Sequence, residues 1–338
     1  MLRHSSDSEP GYSRKRKGRY WQYYDEKGNR VTSREEIDRL NSIALPPAYT
    51  DAWFCKDANG HIQATGKDAR GRKQYRYHPD YRSQRDAHKY DNCREFGEAL
   101  PKLRKRIEKD LRRRKLVRET VLAAVVRLLD KEFVRIGNEQ YARRNQSFGL
   151  TTLRNRHLKK VGNKVKMRFK GKHGIVHEVA VTDASLKRVV RQCEDLPGQH
   201  LFQYLNGDGE PKPVTSTDVN DYIREATGSE FTAKHFRTWG ASVIFFEQLL
   251  EKSESKRLSL KTVLEPVAEA LGNTPTMSRK SYVHPCLIEA VQERPEDPLK
   301  GMKRPRARTR LTSAETGFLK YLKRKPRRRR IWRRKAAG

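Results

Sequence analysis

No two cysteines of this chain stand near one another. Cys55, Cys93, Cys193 and Cys286 are its only four. With no Cys-x-x-Cys pair, neither a zinc knuckle nor a dithiol redox motif is supported. Four isolated thiols suit a reducing compartment. Long apolar runs are missing too, and nothing approaches the roughly 18 residues that a membrane span needs. The opening MLRHSSDSEPGYSRKRKGR has cations but no apolar core, so it does not read as a signal peptide. These absences predict a soluble, cytoplasmic protein with no membrane partner. Acidic residues are the third shortage. Against 75 Lys and Arg stand only 41 Asp and Glu, a net charge of +34 over 338 residues. Such an excess calls for a polyanionic partner. It is not confined to one end. From Gly301 onward sixteen Lys and Arg face one acid, a net +15, which leaves +19 for the first 300 residues.

What is present divides into four stretches. Residues 1–18 are polar and basic and read as a disordered arm. Residues 19–90 read as a small strand-rich domain. YWQYYDEKGNRV alternates aromatics about a Lys-Gly-Asn turn, the pattern of a hairpin. A helix capped by Ser33 follows and stops at Pro46-Pro47. The segment GKDARGRKQYRYH then interleaves Lys67, Arg70, Arg72, Lys73 and Arg76 with Gln74, Tyr75 and Tyr77. Cations meet phosphates, while Gln and Tyr reach bases or sugars. The alternative is a solvated strand with its aromatics buried.

Residues 91–294 read as a larger, mostly helical domain, and 295–338 as a basic tail that includes Arg327 to Arg330. In ETVLAAVVRLLDKEFVRIG, Leu122, Val125, Val126, Leu129 and Phe133 form one helical stripe, with a stop at Gly137 and Arg135 in the last turn. NEQYARRNQSFGLTTLRNRHL reads as a polar loop. Residues 161–182 alternate about the turn Gly171-Lys172-His173-Gly174. Val165, Met167 and Phe169 share one face of the first strand, and Ile175, Val179 and Val181 one face of the second. Ser216 or Thr217 caps a later helix. In FTAKHFRTWG, Lys234, His235 and Arg237 occupy the first turns of another helix, where cations oppose the dipole and call for an external anion.

The stretch LGNTPTMSRKSYVHP gathers these signals. A Gly-Asn-Thr-Pro turn precedes a short polar segment and Tyr282, with Arg279 and Lys280 just before it. A phenol has a pKa of about 10 and is a weak nucleophile at neutral pH. Cations that favour the phenolate let it attack phosphorus. The plain alternative is an ordinary aromatic side chain on a helix.

Arg135, Lys172, Lys234-x-x-Arg237, Asn273 and Tyr282 make an ordered set across the chain. With LPPAY, GHIQATGKDARGRKQYRYH, RIGNEQYARRNQSFGLTTLRNRH, FKGKHG, LPGQHLFQY, DVNDYI, FTAKHFRTWG and GNTP…SY, the chain resembles the poxvirus-like type IB DNA topoisomerases in their bacterial branch. The resemblance covers roughly residues 20 to 290, more than one motif could by chance. It implies an α+β protein: a small β-rich N-terminal domain, and a mostly α-helical catalytic domain with a small antiparallel sheet, the catalytic fold shared with tyrosine recombinases. It implies relaxation of positive and negative supercoils in double-stranded DNA through a 3′-phosphotyrosine, with no cofactor, metal or ATP. It further implies Tyr282 as nucleophile, Arg135 and Arg237 as charge-neutralising forks, Lys172 as general acid to the leaving 5′-oxygen, and Lys234 as an auxiliary cation. Lys67, Arg70, Arg72, Gln74, Tyr75, Tyr77 and Lys234 are the expected DNA contacts, and a nucleoid-associated monomer is the expected form. In the viral members a histidine stands nine residues before the tyrosine. Here Asn273 stands there, which can donate a hydrogen bond but cannot be cationic. His284 is a possible stand-in.

Two alternatives stay open on the sequence. A tyrosine recombinase shares fold and nucleophile, but its His-x-x-Arg would put histidine where Lys234 stands. A non-enzymatic basic nucleic-acid-binding protein explains the charge but not the Arg–Lys–Arg–Tyr order.

Overall fold

Alternating aromatics and cations build the first of two units, Met1–Asp91 and Asn92–Gly338. The computed structural model describes residues 2–82, 90–162, 164–252, 258–302 and 305–324. In the first unit, β1 (Gly11–Lys17), β2 (Tyr20–Tyr24), β3 (Thr50–Cys55), β4 (Ile62–Lys67) and β5 (Lys73–Tyr77) form one antiparallel sheet in the order β2-β1-β3-β4-β5. Helix α1 (Arg34–Ser42) covers it, with Ser33 accepting the Glu36 amide at 3.4 Å. Tyr23, Leu40, Leu45, Phe54 and Ala64 are the core.

The disordered N-terminal arm is thus corrected, because β1 lies inside that arm. Its cations are used in packing. The Arg14 guanidinium lies 4.1 Å over Trp21 and donates to Leu45 O at 2.8 Å. Buried Ser5 ties the segment to β4, with Ser5 Oγ donating to Ile62 O at 3.1 Å. β2 pairs with β1, and the hairpin expected on its C-terminal side is short: Tyr24 bridges Arg30 and Val31 N donates to Tyr23 O at 2.9 Å.

The second unit packs helices around one core. Helix α2 (Cys93–Leu111) pairs with α3 (Arg118–Glu132). Val121 to Val126, Leu128 and Leu129 are all fully or almost fully buried, so α3 is buried all round rather than amphipathic. It also ends earlier than the sequence suggests. Phe133 takes the left-handed conformation, φ 50°, and closes the helix at Glu132. Its ring fills the space over Gly240, where a Cβ would come within 2.1 Å of it. Arg135 lies beyond the helix, in chain without regular secondary structure. The polar loop after it contains α4 (Glu139–Asn145), whose Asn138 side chain accepts the Tyr141 amide at 3.1 Å.

Strands β6 (Leu158–Val161), β7 (Lys164–Lys170) and β8 (Val176–Val181) form a three-stranded antiparallel sheet, and β9 (Gln203–Leu205) pairs with β10 (Pro211–Pro213). Val165, Met167, Phe169, Val179 and Val181 are buried, but Ile175 is not. β8 starts one residue after Ile175, and His177 takes the place opposite Phe169. Helices α5 (Ala184–Glu194), α6 (Ser216–Thr227), α7 (Ala233–Lys252), α8 (Leu260–Leu271), α9 (Pro275–Ser281) and α10 (Pro285–Glu293) follow. The cap of α6 is Thr215, not Ser216 or Thr217, because Thr215 and Asp218 bond reciprocally. Among the described residues no helix is long and apolar enough to cross a membrane.

The basic tail is corrected over part of its length. Helix α11 (Ser313–Arg324) buries Phe318, Leu319 and Tyr321 in the unit's core. Thr312 and Glu315 form its capping box: Glu315 N donates to Thr312 Oγ1 at 3.1 Å, and Thr312 N donates to Glu315 Oε2 at 2.8 Å. Arg327 to Arg330 lie outside the described residues. Glu315 is 4% exposed and accepts from both Arg104 Nη groups, at 2.7 and 2.9 Å, and from Trp239 Nε1 at 3.1 Å. Breaking a buried ion pair from one side costs about 3–5 kcal/mol. Arg104 keeps Asp130 at 2.8 Å, so Glu315→Ala is expected to cost about 3 kcal/mol, the lower end of that range. The denaturant midpoint reads it, and an unchanged midpoint would mean that α11 is only loosely attached.

Candidate active site

Three chain segments converge on Tyr282, and two glycines make the approach possible. Arg135 sits on the strap after α3. Leu150 N donates to its carbonyl at 3.0 Å. A Cβ on Gly149 would come within 2.5 Å of that same oxygen, so the strap can lie this close only to glycine. Gly272 closes α8 in the left-handed conformation, φ 57°, and turns the chain into Asn273. Arg135 Nη2 donates to Asn273 Oδ1 at 3.1 Å.

Arg237, on the second turn of α7, is 4% exposed. Its Nη1 donates to Phe133 O and its Nη2 to Leu271 O, the latter at 2.9 Å. Phe133 caps α3 and Leu271 ends α8. The guanidinium therefore sits at the negative ends of two helices. Its carbon lies 4.9 Å from the centre of the Tyr282 ring. Burial first, and Arg135 second, push the Arg237 pKa down to about 10. For Tyr282, burial alone would push the phenol up. Arg237, then Arg135, outweigh burial and hold it below its ordinary value.

Three N–H donors of this cluster, Arg135 Nη1, Arg237 Nε and Asn273 Nδ2, are buried and have no hydrogen-bond partner among the described residues. Buried donors without partners are uncommon in proteins, and three in one cluster call for a water, an ion or a ligand to complete the pattern. All three are donors and two belong to cations, a set that suits an acceptor carrying negative charge.

The Tyr282 segment is held from behind. Tyr282 caps α9, its amide donating to Ser278 O at 3.0 Å. Ser242 of α7 donates to Thr238 O at 2.8 Å and accepts the His284 amide at 2.9 Å. The His284 side chain accepts from the Cys286 amide at 3.2 Å and its ring packs on Phe318 with centroids 6.1 Å apart. It serves as the cap of α10.

The structure brings together Arg135, Arg237, Asn273 and Tyr282. Lys172 is exposed at the tip between β7 and β8, where His173 and Gly174 both take positive φ. Lys234 is exposed in the first turn of α7. His235, beside it, stacks on Phe96 and accepts the Thr232 amide at 3.0 Å, a helix-capping use. Two residues that sequence reasoning missed, Ser242 and His177, pack behind the site. His177 had a signal, since it falls on the same strand face as Val179 and Val181.

In the first unit the basic-aromatic segment divides between two faces. Tyr75 and Tyr77 are both 44% exposed and stack with centroids 6.0 Å apart, on the outer face with Lys73. The aromatics are therefore not the buried face of a solvated strand. Gln74 and Arg76 point the other way; Gln74 Nε2 and Arg72 Nε donate to Asp68 Oδ2 at 2.9 and 2.8 Å. Lys67 pairs with Asp51 at 2.7 Å, and Arg70 is exposed.

A β-rich first unit, and a helical second unit with small antiparallel sheets carrying Arg135, Arg237 and Tyr282, define the α+β catalytic class shared by type IB topoisomerases and tyrosine recombinases. Comparison with known proteins decides between the two. Residues 78–308 match the family described as eukaryotic DNA topoisomerase I, catalytic core, and residues 20–68 match bacterial DNA topoisomerase IB, N-terminal domain. The chain is 32% identical over 298 residues to DNA topoisomerase 1B of Acanthamoeba polyphaga mimivirus, covering 85% of this chain and 89% of that protein. It is 23% identical over 271 residues to DNA topoisomerase 1B of Vaccinia virus (strain Copenhagen), covering 75% and 82%. With DNA topoisomerase 1 of Mycosarcoma maydis the match is 24% over 221 residues, 60% of this chain but 21% of that protein. The chain belongs to the type IB DNA topoisomerases, enzymes whose substrate is DNA.

Proposed function

We propose that this enzyme relaxes positive and negative supercoils by transient cleavage of one strand through Tyr282, without ATP or metal. The observation that carries the reading is the set of three partnerless buried donors beside a tyrosine whose phenol two arginines hold below its ordinary pKa. Tyr282 Oη releases its proton to solvent water and, as the phenolate that the two arginines favour, attacks a backbone phosphorus. The bond to the 5′-oxygen breaks, and Lys172 gives that oxygen a proton. The strand's 3′ end stays linked to Tyr282 while the duplex swivels, and the 5′-hydroxyl then attacks the phosphotyrosine to reseal. The linkage conserves the energy of the broken bond, so no nucleotide is consumed. Extra charge on the non-bridging oxygens falls to Arg135 Nη1, Arg237 Nε and Asn273 Nδ2, and stabilisation of this kind supplies most of phosphoryl-transfer catalysis.

Lys67, Arg70, Arg72, Lys234 and the Tyr75–Tyr77 pair take the backbone and Gln74 a base edge, with strong salt dependence. One chain carries every proposed group, so a monomer suffices.

The test is relaxation of plasmids of both signs in EDTA without ATP, with trapping in denaturant of a 5′-labelled strand. Relaxation of both signs and retention of the label on protein are expected. An inert protein, or label retained only from the other end, sinks the reading. Within it, Lys172→Ala is expected to slow cleavage about 10²–10⁴-fold. A substrate with sulfur in place of the bridging 5′-oxygen leaves without a proton and should recover most of that loss. Equal defects on both substrates would remove Lys172 from the general-acid role.

A further inference from the structure

The tip bearing Lys172 and the turn bearing Asn273 meet on one side chain. A Cβ on Gly171, the residue before Lys172, would come within 2.7 Å of His177 Cδ2 and 2.8 Å of its Nε2. A Cβ on Gly272, the residue before Asn273, would come within 2.6 Å of His177 Cε1. The imidazole thus lies against the backbone of both glycines at once. Its other support is Phe169, its partner across the strands, stacked on it with centroids 5.4 Å apart and planes 21° from parallel. At the tip, Gly171 N donates to Ile175 O at 2.7 Å, which closes the loop around Lys172.

We infer that His177 is a positioning residue: its ring is the wedge that fixes the Lys172 tip of the sheet to the Asn273 turn of the arginine–tyrosine cluster. The inference deepens the proposed cleavage reaction and depends on it. Lys172 belongs to a sheet and Asn273 to a helix terminus, and neither element by itself sets the distance between them. A ring in contact with both backbones does. A near-attack geometry tolerates little error, and about 1 Å of misplacement costs roughly a hundredfold. The wedge works as a neutral ring. Burial first, and then Arg135 and Arg237, keep its imidazole below the usual range. Its shape, rather than its charge, is what the site uses.

The experiment is single-turnover cleavage by the full chain on paired substrates, one ordinary and one with a bridging 5′-sulfur. His177→Ala is expected to slow the ordinary substrate about 10- to 100-fold and to recover much of that on the sulfur substrate, with duplex affinity unchanged. His177→Phe, which keeps an aromatic ring on Phe169, should restore most of the rate. Gly171→Ala adds a methyl that meets the ring, at a position whose φ of −91° accepts alanine. It should slow cleavage alone but add little once His177 is already Ala, a coupling that independent sites do not show. A normal rate for His177→Ala, equal defects on both substrates, or full additivity with Gly171→Ala overturns the inference. If Lys172→Ala shows sulfur recovery and His177→Ala does not, the wedge fails while the cleavage reading stands. If Lys172→Ala shows none either, the general-acid step beneath both fails.

Discussion

Replacing Tyr282 by Phe is expected to leave duplex affinity unchanged and to abolish relaxation in either direction. The substitution removes one oxygen. The Phe ring still fits beneath the Arg237 guanidinium, now 4.9 Å away, and the α9 cap it forms uses only backbone. DNA binding draws on phosphate contacts spread over many cations, none of them on this phenol. Loss of a nucleophile that acts in concert with its neighbours costs about 10⁴-fold or more, which in a plasmid assay means no topoisomer shift. The pH dependence carries the second half of the prediction. Because the phenol's pKa is lowered, a larger fraction is phenolate at a given pH than in free tyrosine. Wild-type cleavage should therefore climb with pH and level off below the ordinary phenol value of about 10. Residual relaxation by Tyr282→Phe would point to another nucleophile. A rate still climbing past pH 10 would mean that the arginines do not activate this one.

The parts of the site that were legible in the sequence are those that depend on local chemistry. Glycines at 171 and 174 with alternating apolar residues on both sides specify a hairpin, and Lys172 follows at its tip. A threonine before Ala233 and the three-residue step from Lys234 to Arg237 specify a helix start with cations on it. Other features depend on contacts distant in sequence. Arg135 reads as a helix residue because nothing local reveals that Phe133 leaves the helix to fill the space over Gly240. Four cations in β1 suggest disorder until Arg14 is seen stacked on Trp21. Helix α11 is hidden by the charges around it, although Thr312 and Glu315 signal its cap. His177 reads as one more strand residue, since a wedge is defined by the two backbones it touches and neither is adjacent in sequence. The orphan donors are the least legible, because a donor's lack of a partner is known only when every neighbour is placed.

Arg237→Ala is expected to lower the cleavage rate about 10³–10⁵-fold, the range for an arginine that meets phosphoryl charge, with little change in DNA affinity or in the free energy of unfolding. The rate is expected to fall because the Nη groups of Arg237 are committed to Phe133 O and Leu271 O, which leaves Nε and the positive charge for the phosphate of the proposed reaction. Lysine cannot serve instead, since one ammonium has no planar fork to span two carbonyls and still present a donor. Arg237→Lys should lie near Arg237→Ala. The stability term has two parts of opposite sign. Two carbonyls lose their donors, at about 1–3 kcal/mol for each one left unsatisfied. Against that, the pKa of Arg237 falls to about 10 in the folded state, which means that folding disfavours its charge at every pH below that value, by roughly 3 kcal/mol at 1.36 kcal/mol per unit. Removing the charge recovers that amount, so the sum lies between a gain of about 1 and a loss of about 3 kcal/mol. Stability sacrificed to hold a charge where the reaction needs it is the usual trade at such sites. Paired urea unfolding and single-turnover cleavage separate the terms. If Arg237→Ala loses far more stability than this while its folded fraction cleaves at the wild-type rate, Arg237 is a strut between α3 and α8 and not part of the charge-stabilising set.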